Sequence, residues 1–316
     1  MRVVAPAAQS PDLLAGPDGF DDVGAVRQAN GLVGLHSVDF FPPVVDDAAA
    51  YGAIAAANSL SDIYASGGEP SVVLNLAGFP REWGDDILQP IFKAAVEVVQ
   101  EAGALWVGGH SVLVEEPLFG FSVYGEVKEE HLVTNAAARP GDCLALTKPV
   151  GAASVTIAEK RGLASAEEVA AAVVLMRRLN KFGARAMRAA GVKAGTDITG
   201  FGLLGHAGNI ARASNMVLHM DSTAVPFYQG AAAHAQNGVF SGGAARGRET
   251  LASLVTIADG VPEWLSSIGF DAETSGGLLV CVPADRVQDF EDAMPAEEPF
   301  AWVGEVREGA AQVVLS

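Results

Sequence analysis

The spacing of apolar and polar residues in the first half of the chain predicts a mixture of strands and helices. Residues 30–41 place apolar side chains at the spacing of a strand, and residues 85–102 show the spacing of an amphipathic helix. Ala48–Ala65 is rich in alanine and precedes Gly67 and Gly68, so a helix that stops at these glycines is predicted. Three further strands are predicted, the last two around a Gly-Gly turn: residues 71–77, 105–107 and 119–127.

The second half continues the same mixture. A long helix is predicted over residues 166–190, with Arg and Lys on its polar face, and a second helix over residues 201–214. The remaining predicted elements are a short helix over residues 286–294 and strands at Cys143–Leu146, Val217–Met220, Leu278–Val282 and residues 300–306. Residues 1–20, rich in Ala, Pro, Gly and Asp, are expected to be loosely structured.

These elements favour an α+β protein with two domains. A chain of 316 residues is long for a single domain. The strands and helices lack a strict βαβ rhythm and no Gly-x-Gly-x-x-Gly follows a strand, so a Rossmann domain is not expected. We place the boundary in a cluster of Ala, Arg, Pro and Gly near residues 135–142, which gives domains at residues 1–138 and 139–316.

The acidic composition excludes one class of partner and restricts another. The formal net charge is −18, whereas nucleic acids are bound by clusters of Lys and Arg, so no nucleic-acid partner is expected. ATP is also anionic, so carboxylates would meet it only through bound metal ions. Cys143 and Cys281 lie in apolar runs and are interpreted as core residues rather than as a disulfide. Neither a signal peptide nor an apolar run of membrane-spanning length is found, so a cytoplasmic location is expected.

Aspartates beside glycine turns and strand ends are the strongest chemical signal. The segment from Asp197 to His206 places a carboxylate before three glycines, which let a backbone approach a ligand closely and expose N–H groups to phosphate. Asp62 follows Asn58 at helical spacing, so both share a helix face. A single Asp is more often a cap or a turn residue, but several in such positions predict carboxylates that converge on Mg²⁺. These residues are Asp21, Asp22, Asp39, Asp46, Asp47, Asp62 and Asp197.

Three smaller motifs leave their interpretation open. Gly108-Gly-His-Ser111 follows an apolar strand and is either a phosphate-binding loop or a hairpin-like turn. His110 by itself is only a weak candidate for acid–base catalysis. Lys148 also follows a strand and is either a phosphate contact or a solvated turn residue. Glu273-Thr-Ser-Gly-Gly is a further small-residue turn that leads into a strand.

These motifs resemble those of the selenophosphate synthetases, also called selenide, water dikinases. The matching segments run in the family's order and cover nearly the whole chain from about residue 11 onward. They are Pro11-Asp-Leu-Leu-Ala-Gly16, Asp21-Asp22, Ser37-Val-Asp-Phe-Phe41, Pro43-Val-Val-Asp46, residues 54–64 with Gly67-Gly68, Gly108-Gly-His-Ser111, Leu146-Thr-Lys-Pro149, residues 196–206 and Thr274-Ser-Gly-Gly-Leu-Leu279.

The resemblance implies a two-domain fold shared with aminoimidazole ribonucleotide synthetase. It implies a homodimer whose N-terminal domains, which bind ATP and Mg²⁺, pair through their sheets. The implied reaction converts ATP, selenide and water into selenophosphate, AMP and orthophosphate. The residues that match the family's Mg²⁺ ligands are Asp22, Asp62 and Asp197. Those that match its nucleotide contacts are Gly19, Phe20, Asp21, Asp39 and Asp62 and, reaching into the site of the other subunit, Gly109, His110 and Ser111.

The chain departs from the family's pattern at three places. Before the segment that matches Pro11, family members carry a glycine-rich loop with a Cys or selenocysteine and a Lys, both regarded as catalytic. The present sequence has no Cys or Lys before Lys93, so no catalytic residue is assigned. The stretch that begins at Gly242 lacks the family's Gly-Gly-Thr and following Asn, and Gly24 stands where Ala is usual.

Three functions remain open from the sequence. The first is a selenophosphate synthetase that works without its own Cys/Lys loop, in a branch that could supply small selenometabolites. The second is a nucleotide-binding paralogue without selenium chemistry, although the preserved aspartates argue against loss of the Mg²⁺–ATP site. The third is another enzyme of the same superfamily, such as thiamine-monophosphate kinase or aminoimidazole ribonucleotide synthetase, which the Gly-Phe-Gly-Leu-Leu-Gly-His and Thr-Ser-Gly-Gly motifs resemble less.

Overall fold

The computed structural model describes residues 10–316, and every structural statement below refers to these residues. Residues 1–9, part of the segment expected to be loosely structured, lie outside them. The rest of that segment contains a short strand, β1 (Leu13–Ala15), and a 3₁₀ turn at Pro17–Gly19. No helix in the described part of the chain has the length and apolarity needed to cross a membrane.

The first domain is a six-stranded sheet covered on one face by two helices, α1 (Ala48–Ala65) and α2 (Asp85–Glu101). Alternation along β3 (Leu32–Phe41) turns Val33 and Leu35 inward and leaves Val38 and Phe40 exposed on the opposite face. The strand order is β1-β2-β3-β6-β4-β5, with β2 (Gly24–Arg27), β3 (Leu32–Phe41), β4 (Glu69–Phe79), β5 (Leu105–Leu113) and β6 (Leu118–Lys128).

The second domain is a seven-stranded sheet with helices packed around it. The strand order is β10-β13-β9-β12-β7-β11-β8, with β7 (Cys143–Leu146), β8 (Ala194–Asp197), β9 (Val217–Met220), β10 (Val255–Ile257), β11 (Leu278–Val282), β12 (Ala301–Arg307) and β13 (Gln312–Leu315). The helices are α3 (Ala152–Lys160), α4 (Ala166–Met176), α5 (Lys181–Ala190), α6 (Gly202–Ser214), α7 (Ala231–Gln236), α8 (Gly242–Leu251), α9 (Glu263–Phe270) and α10 (Val287–Ala293).

Helix α1 joins the two domains. It is buried along most of its length because it contacts β3 and β6 of the first sheet and also β8, α4 and α5 of the second domain. Its glycine, Gly52, allows α2 to approach closely, since a Cβ there would lie 2.1 Å from the carbonyl oxygen of Ile91. Side chains of α1 that face the second domain are therefore held between two packed layers.

The structure confirms the predicted α+β class and many of its elements. Helix α1 has the predicted bounds, and β7, β9 and β11 coincide with predicted strands. Every residue of β11 is buried, in agreement with its unbroken apolar sequence. The boundary predicted between residues 138 and 139 stays a prediction.

The long helix predicted over residues 166–190 is wrong, because the chain breaks into α4 and α5. The break ends at Asn180, a buried residue just before α5 whose Nδ2 donates to Ser61 Oγ (2.8 Å) and to the carbonyl oxygen of Gly276 (2.9 Å). These bonds tie the break to α1 and to the turn before β11. Helical spacing along the sequence carries no information about such long-range partners.

The predicted Gly-Gly turn is also wrong, because Gly108 and Gly109 lie within β5. This strand runs parallel to β4 and has a bulge between Trp106 and Gly108. A Cβ on Gly109 would lie 2.0 Å from Asn75 Oδ1, so glycine permits the two strands to pair here. β5 forms an edge of the first sheet and is exposed along almost its whole length.

Candidate active site

Three carboxylates from three separate segments converge where the two domains meet. Asp22 precedes β2, Asp62 lies in the last turns of α1, and Asp197 ends β8. One oxygen atom from each carboxylate lies within 4.8 Å of the other two. Among the described residues, these three form the one group of acidic, His or Cys side chains that lie close enough together to share a metal ion. The structure thus brings together all three predicted Mg²⁺ ligands.

The electrostatics of this carboxylate cluster favour the binding of a cation. Burial raises the pKa of Asp197 to about 7, and burial followed by the charge of Asp197 raises the pKa values of Asp22 and Asp62 well above their usual range. One oxygen of Asp197, Oδ2, is buried without a hydrogen-bond partner among the described residues. An all-oxygen donor set of this kind suits a hard divalent cation such as Mg²⁺. The residues present therefore fit the expected metal.

Hydroxyl and amide side chains orient the carboxylates. Thr196 Oγ1 donates to Asp22 Oδ1 (2.8 Å), and Ser37 Oγ donates to Asp62 Oδ2. Asp39 accepts from Asn58 Nδ2 at 2.9 Å, and burial raises its pKa to about 6. The sequence analysis did not assign Ser37 or Thr196. The position of Ser37, two residues before Asp39 on the same face of β3, was the signal that could have identified it.

A cavity of about 500 Å³ opens beside the carboxylate cluster. Asp197 closes the cluster from the second domain and is not part of the cavity wall. The size of the cavity is in the range of small-molecule sites. The residues that line it are Gly16, Asp21, Asp22, Val23, Gly24, His36, Ser37, Val38, Asp39, Asp62 and Ser122.

The segment Gly19-Phe20-Asp21 ends at the wall of the same cavity. Phe20 has φ +52° and its side chain is 58% exposed. Asn135, a buried residue between the two sheets, donates from Nδ2 to the Phe20 carbonyl oxygen (2.8 Å) and from its backbone N–H to Asp21 Oδ1 (2.9 Å). These bonds fix the segment in a backbone conformation that residues with a side chain seldom adopt. Asp21 lines the cavity, whereas Gly19 and Phe20, which precede it in the chain, are not among the lining residues.

The structure does not bring Gly109, His110 and Ser111 to the carboxylate cluster of the same chain. Asp39, Phe121, Asn75 and Gly109 occupy one row across β3, β6, β4 and β5. Three strand spacings separate the ends of this row, a distance of about 14 Å. Within one chain, these three residues therefore lie at the far edge of the sheet from the cavity.

Lys148 is not a solvated turn residue. It is 2% exposed, and its Nζ donates to the carbonyl oxygens of Arg178 (2.7 Å) and Ser275 (2.9 Å). Burial lowers its pKa to about 7. These contacts place Lys148 beneath the Thr-Ser-Gly-Gly turn before β11. In this position it holds the backbone of the second domain together and is not among the residues that line the cavity.

Glu273, at the start of the same turn, is expected to make the stability of the protein depend on pH. Its carboxylate accepts from the backbone N–H groups of Gly151 (2.5 Å) and Ala152 (3.0 Å) at the start of α3, yet burial raises its pKa from 4.5 to about 8. Between pH 4.5 and about 8, the Glu273 carboxyl group is therefore protonated in the folded protein and ionised in the unfolded chain. The stabilisation from this proton is complete below pH 4.5 and disappears as the pH rises through about 8.

We expect Glu273→Gln to reduce the fall in the free energy of unfolding between these pH values. Urea denaturation at a series of pH values measures this dependence. Glu249→Gln, at an exposed position, is the matched control and should leave the dependence unchanged. The same dependence in Glu273→Gln and in the unmodified protein would contradict the assignment.

Each half of the chain matches a known protein family. Residues 20–127 match the family described as AIR synthase related protein, N-terminal domain, and residues 139–315 match AIR synthase related protein, C-terminal domain. Among solved structures, thiamine monophosphate kinase from Aquifex aeolicus superposes with a TM-score of 0.69 at 17% identity, covering 93% of this chain and 91% of that one. Hydrogenase maturation protein HypE in complex with ATP superposes with a TM-score of 0.67 at 18% identity, covering 97% and 86%. At these identities the likeness shows the fold alone.

Relatives found by sequence similarity identify the family more specifically than the fold does. The selenide, water dikinase of Caldanaerobacter subterraneus subsp. tengcongensis is 40% identical over 94% of this chain and 86% of the relative. The selenide, water dikinase of Porphyromonas gingivalis is 43% identical over 85% of this chain and 77% of the relative. The chain therefore belongs to the selenide, water dikinase family and carries the two domains of the AIR synthase related proteins.

Proposed function

We propose that the protein makes selenophosphate from ATP, selenide and water, with release of AMP and orthophosphate. The observation that carries this proposal is the convergence of Asp22, Asp62 and Asp197 beside a cavity of about 500 Å³. Its relatives at about 40% identity are named selenide, water dikinases, which supports the first of the three functions left open by the sequence. The third is not supported, because the likeness to a thiamine-phosphate kinase extends only to the fold.

We propose that ATP occupies the cavity with its phosphates toward the carboxylate cluster. A chain with a net charge of −18 has no cationic surplus to meet a triphosphate, so the three carboxylates would hold Mg²⁺ between themselves and the phosphate oxygens. When bound, Mg²⁺ would neutralise the triphosphate charge and align it for displacement. Asp21 and Asp39 line the same cavity, and they are proposed nucleotide contacts together with Gly19 and Phe20, which precede Asp21 in the chain.

The protein's own residues prepare the site before any ligand binds. Ser37 and Thr196 donate hydrogen bonds that orient the carboxylates of Asp62 and Asp22. Asn58 connects the cavity to the second domain, because its Nδ2 donates to Asp39 and its Oδ1 accepts from the backbone N–H of Ser275 (2.8 Å). Fixed dipoles and charges of this kind lower the reorganisation needed when charge moves during phosphoryl transfer.

We also propose a homodimer formed through the first sheet. Its outer face exposes apolar side chains, with Val38 55%, Phe40 49% and Leu74 44% exposed, and its edge strand β5 has no partner on its outer side in the described chain. Contiguous apolar area and an open strand edge are features of an interface between subunits. A partner subunit could then supply Gly109, His110 and Ser111 to the cavity from which their own chain keeps them distant. The cytoplasmic location and the absence of a nucleic-acid partner remain predictions.

Phosphorus NMR tests the proposed reaction directly. The purified protein would be incubated with Mg²⁺, ATP and selenide under anaerobic, reducing conditions. We expect selenophosphate to appear together with AMP and orthophosphate. ATP that stays intact, or that is hydrolysed without selenophosphate, would contradict the proposal and favour the nucleotide-binding paralogue.

A further inference from the structure

His206 lies buried in α6 with both ring nitrogens next to polar partners. Nε2 accepts from the backbone N–H of Thr199 (3.1 Å) and lies 3.2 Å from Thr199 Oγ1. Burial lowers the pKa of His206 to about 4, so the ring is neutral near pH 7. Because a backbone N–H can only donate, Nε2 must be the acceptor, which places the ring proton on Nδ1.

The protonated Nδ1 faces the hydroxyl group that orients Asp22. It lies 3.4 Å from Thr196 Oγ1, a long contact, and Thr196 Oγ1 lies 2.8 Å from Asp22 Oδ1. The same hydroxyl is 3.0 Å from the carbonyl oxygen of Asp197, and its single proton can serve only one of the two acceptors. With a divalent cation bound, Asp22 would be ionised and the stronger acceptor, so a donor from His206 would leave the Thr196 proton directed at Asp22.

This chain of contacts crosses the domain boundary. Asp22 precedes β2 in the first domain, whereas Thr196 lies in β8 and His206 in α6 of the second domain. Asp22 accepts a side-chain hydrogen bond from Thr196 alone among the described residues. The orientation of one predicted metal ligand is thus set from the opposite domain.

We propose that Thr196 and His206 are positioning residues that hold the Asp22 carboxylate in the orientation required by a divalent cation. The inference rests on the proposed function, since it takes Asp22, Asp62 and Asp197 as the metal site. Loss of hydrogen-bonding partners behind a metal ligand typically weakens metal affinity by about 10- to 100-fold. A purely structural role would instead lower stability and leave metal affinity unchanged.

Paired substitutions separate the two roles. Thr196→Val removes the hydroxyl at nearly constant volume, and Thr196→Ser retains it. His206→Leu removes both ring nitrogens, and His206→Asn keeps a donor near the position of Nδ1. Ser154→Ala is the control, because Ser154 is buried in the same domain and donates only to the carbonyl oxygen of Val239 (2.9 Å), away from the cluster.

The first readout is the binding of Mn²⁺ alone, titrated by electron paramagnetic resonance, with the melting temperature of each variant recorded alongside. We expect Thr196→Val and His206→Leu each to weaken Mn²⁺ binding by about tenfold or more. Thr196→Ser should stay within about twofold of the unmodified protein, and His206→Asn should recover part of the loss. The two strong variants combined should weaken binding by less than the product of their separate effects, because both act through one contact. Ser154→Ala should lower the melting temperature without changing Mn²⁺ affinity.

Two results would overturn the inference, and they are distinguishable. If Asp22→Asn abolished Mn²⁺ binding while Thr196→Val and His206→Leu left it unchanged, the metal site would stand and the positioning role would fail. If Asp22→Asn itself left Mn²⁺ binding unchanged, the proposed metal site would fail and the inference with it.

Discussion

Replacing Asp197 with asparagine is expected to abolish Mg²⁺-dependent ATP turnover and to leave the fold intact. Asparagine matches the carboxylate in shape but cannot supply the negative charge that a divalent cation requires from this position. Loss of a direct ligand should cost more than loss of an outer partner, so we expect turnover to fall by more than about 100-fold. Steady-state release of AMP and phosphate measures the effect.

The same substitution should stabilise the protein in the absence of metal. Asp197 is the largest charge acting on both Asp22 and Asp62, and its Oδ2 is buried without a partner among the described residues. Removing that charge relieves repulsion between carboxylates that no cation compensates. The melting temperature of the metal-free variant should therefore equal or exceed that of the unmodified protein, and added Mg²⁺ should no longer raise it.

Asp259→Asn is the matched control for this experiment. Asp259 is exposed, so its replacement should alter neither turnover nor the response to Mg²⁺. Unchanged turnover in Asp197→Asn would remove Asp197 from the site. A metal-free melting temperature well below that of the unmodified protein would show that Asp197 has a structural role instead.

Sequence patterns identified the elements that carry a strong local signal. Helix α1 was predicted with its observed bounds, because its alanine-rich run is followed directly by Gly67 and Gly68. The short strands β1, β2, β8, β10 and β13 and helices α3, α7, α8 and α9 were not predicted. In β8 the sequence Ala-Gly-Thr-Asp shows no alternation, since all four residues are buried between β11 and the first domain. Tertiary packing, rather than local preference, determines such segments.

The residues of the candidate site could also be predicted only in part from the sequence. The aspartates could be selected from the sequence because Asp22 and Asp197 stand near glycines and Asp62 shares a helix face with Asn58. Their grouping could not be derived from spacing, because Asp22, Asp62 and Asp197 come from a loop, a helix and a strand in two domains. The hydroxyl groups that orient them belong to common residue types, so Ser37 could have been identified only by its position on the same face of β3 as Asp39. Lys148 was open to two interpretations, and its burial beneath the Thr-Ser-Gly-Gly turn could be learned only from the structure.

Mixed dimers should recover activity from two inactive variants if β5 serves the site of the neighbouring subunit. Ser111 is exposed on β5 without a side-chain hydrogen bond among the described residues, so Ser111→Asp should fold normally. Its added negative charge would repel the phosphates of ATP, and we expect turnover to fall by more than about tenfold. Asp197→Asn should be inactive for the separate reason given above.

In a dimer that contains one subunit of each variant, one of the two sites is free of both changes. That site combines the intact Asp197 of one subunit with the intact Ser111 of the other. Random exchange gives half mixed dimers with one working site each, so activity should return to about a quarter of that of the unmodified protein. Native mass spectrometry would verify that mixed dimers have formed.

The mixture of Asp22→Asn with Asp197→Asn is the decisive control. Both changes alter carboxylates of the same cluster, so in a mixed dimer each site still lacks one ligand and activity should not return. Recovery with Ser111→Asp but not with Asp22→Asn is possible only if Ser111 and the carboxylate cluster of one site come from different subunits. No recovery in verified mixed dimers would show that Gly109, His110 and Ser111 do not act across the interface. Within one chain, Gly109 lies about 14 Å from Asp39 across the sheet.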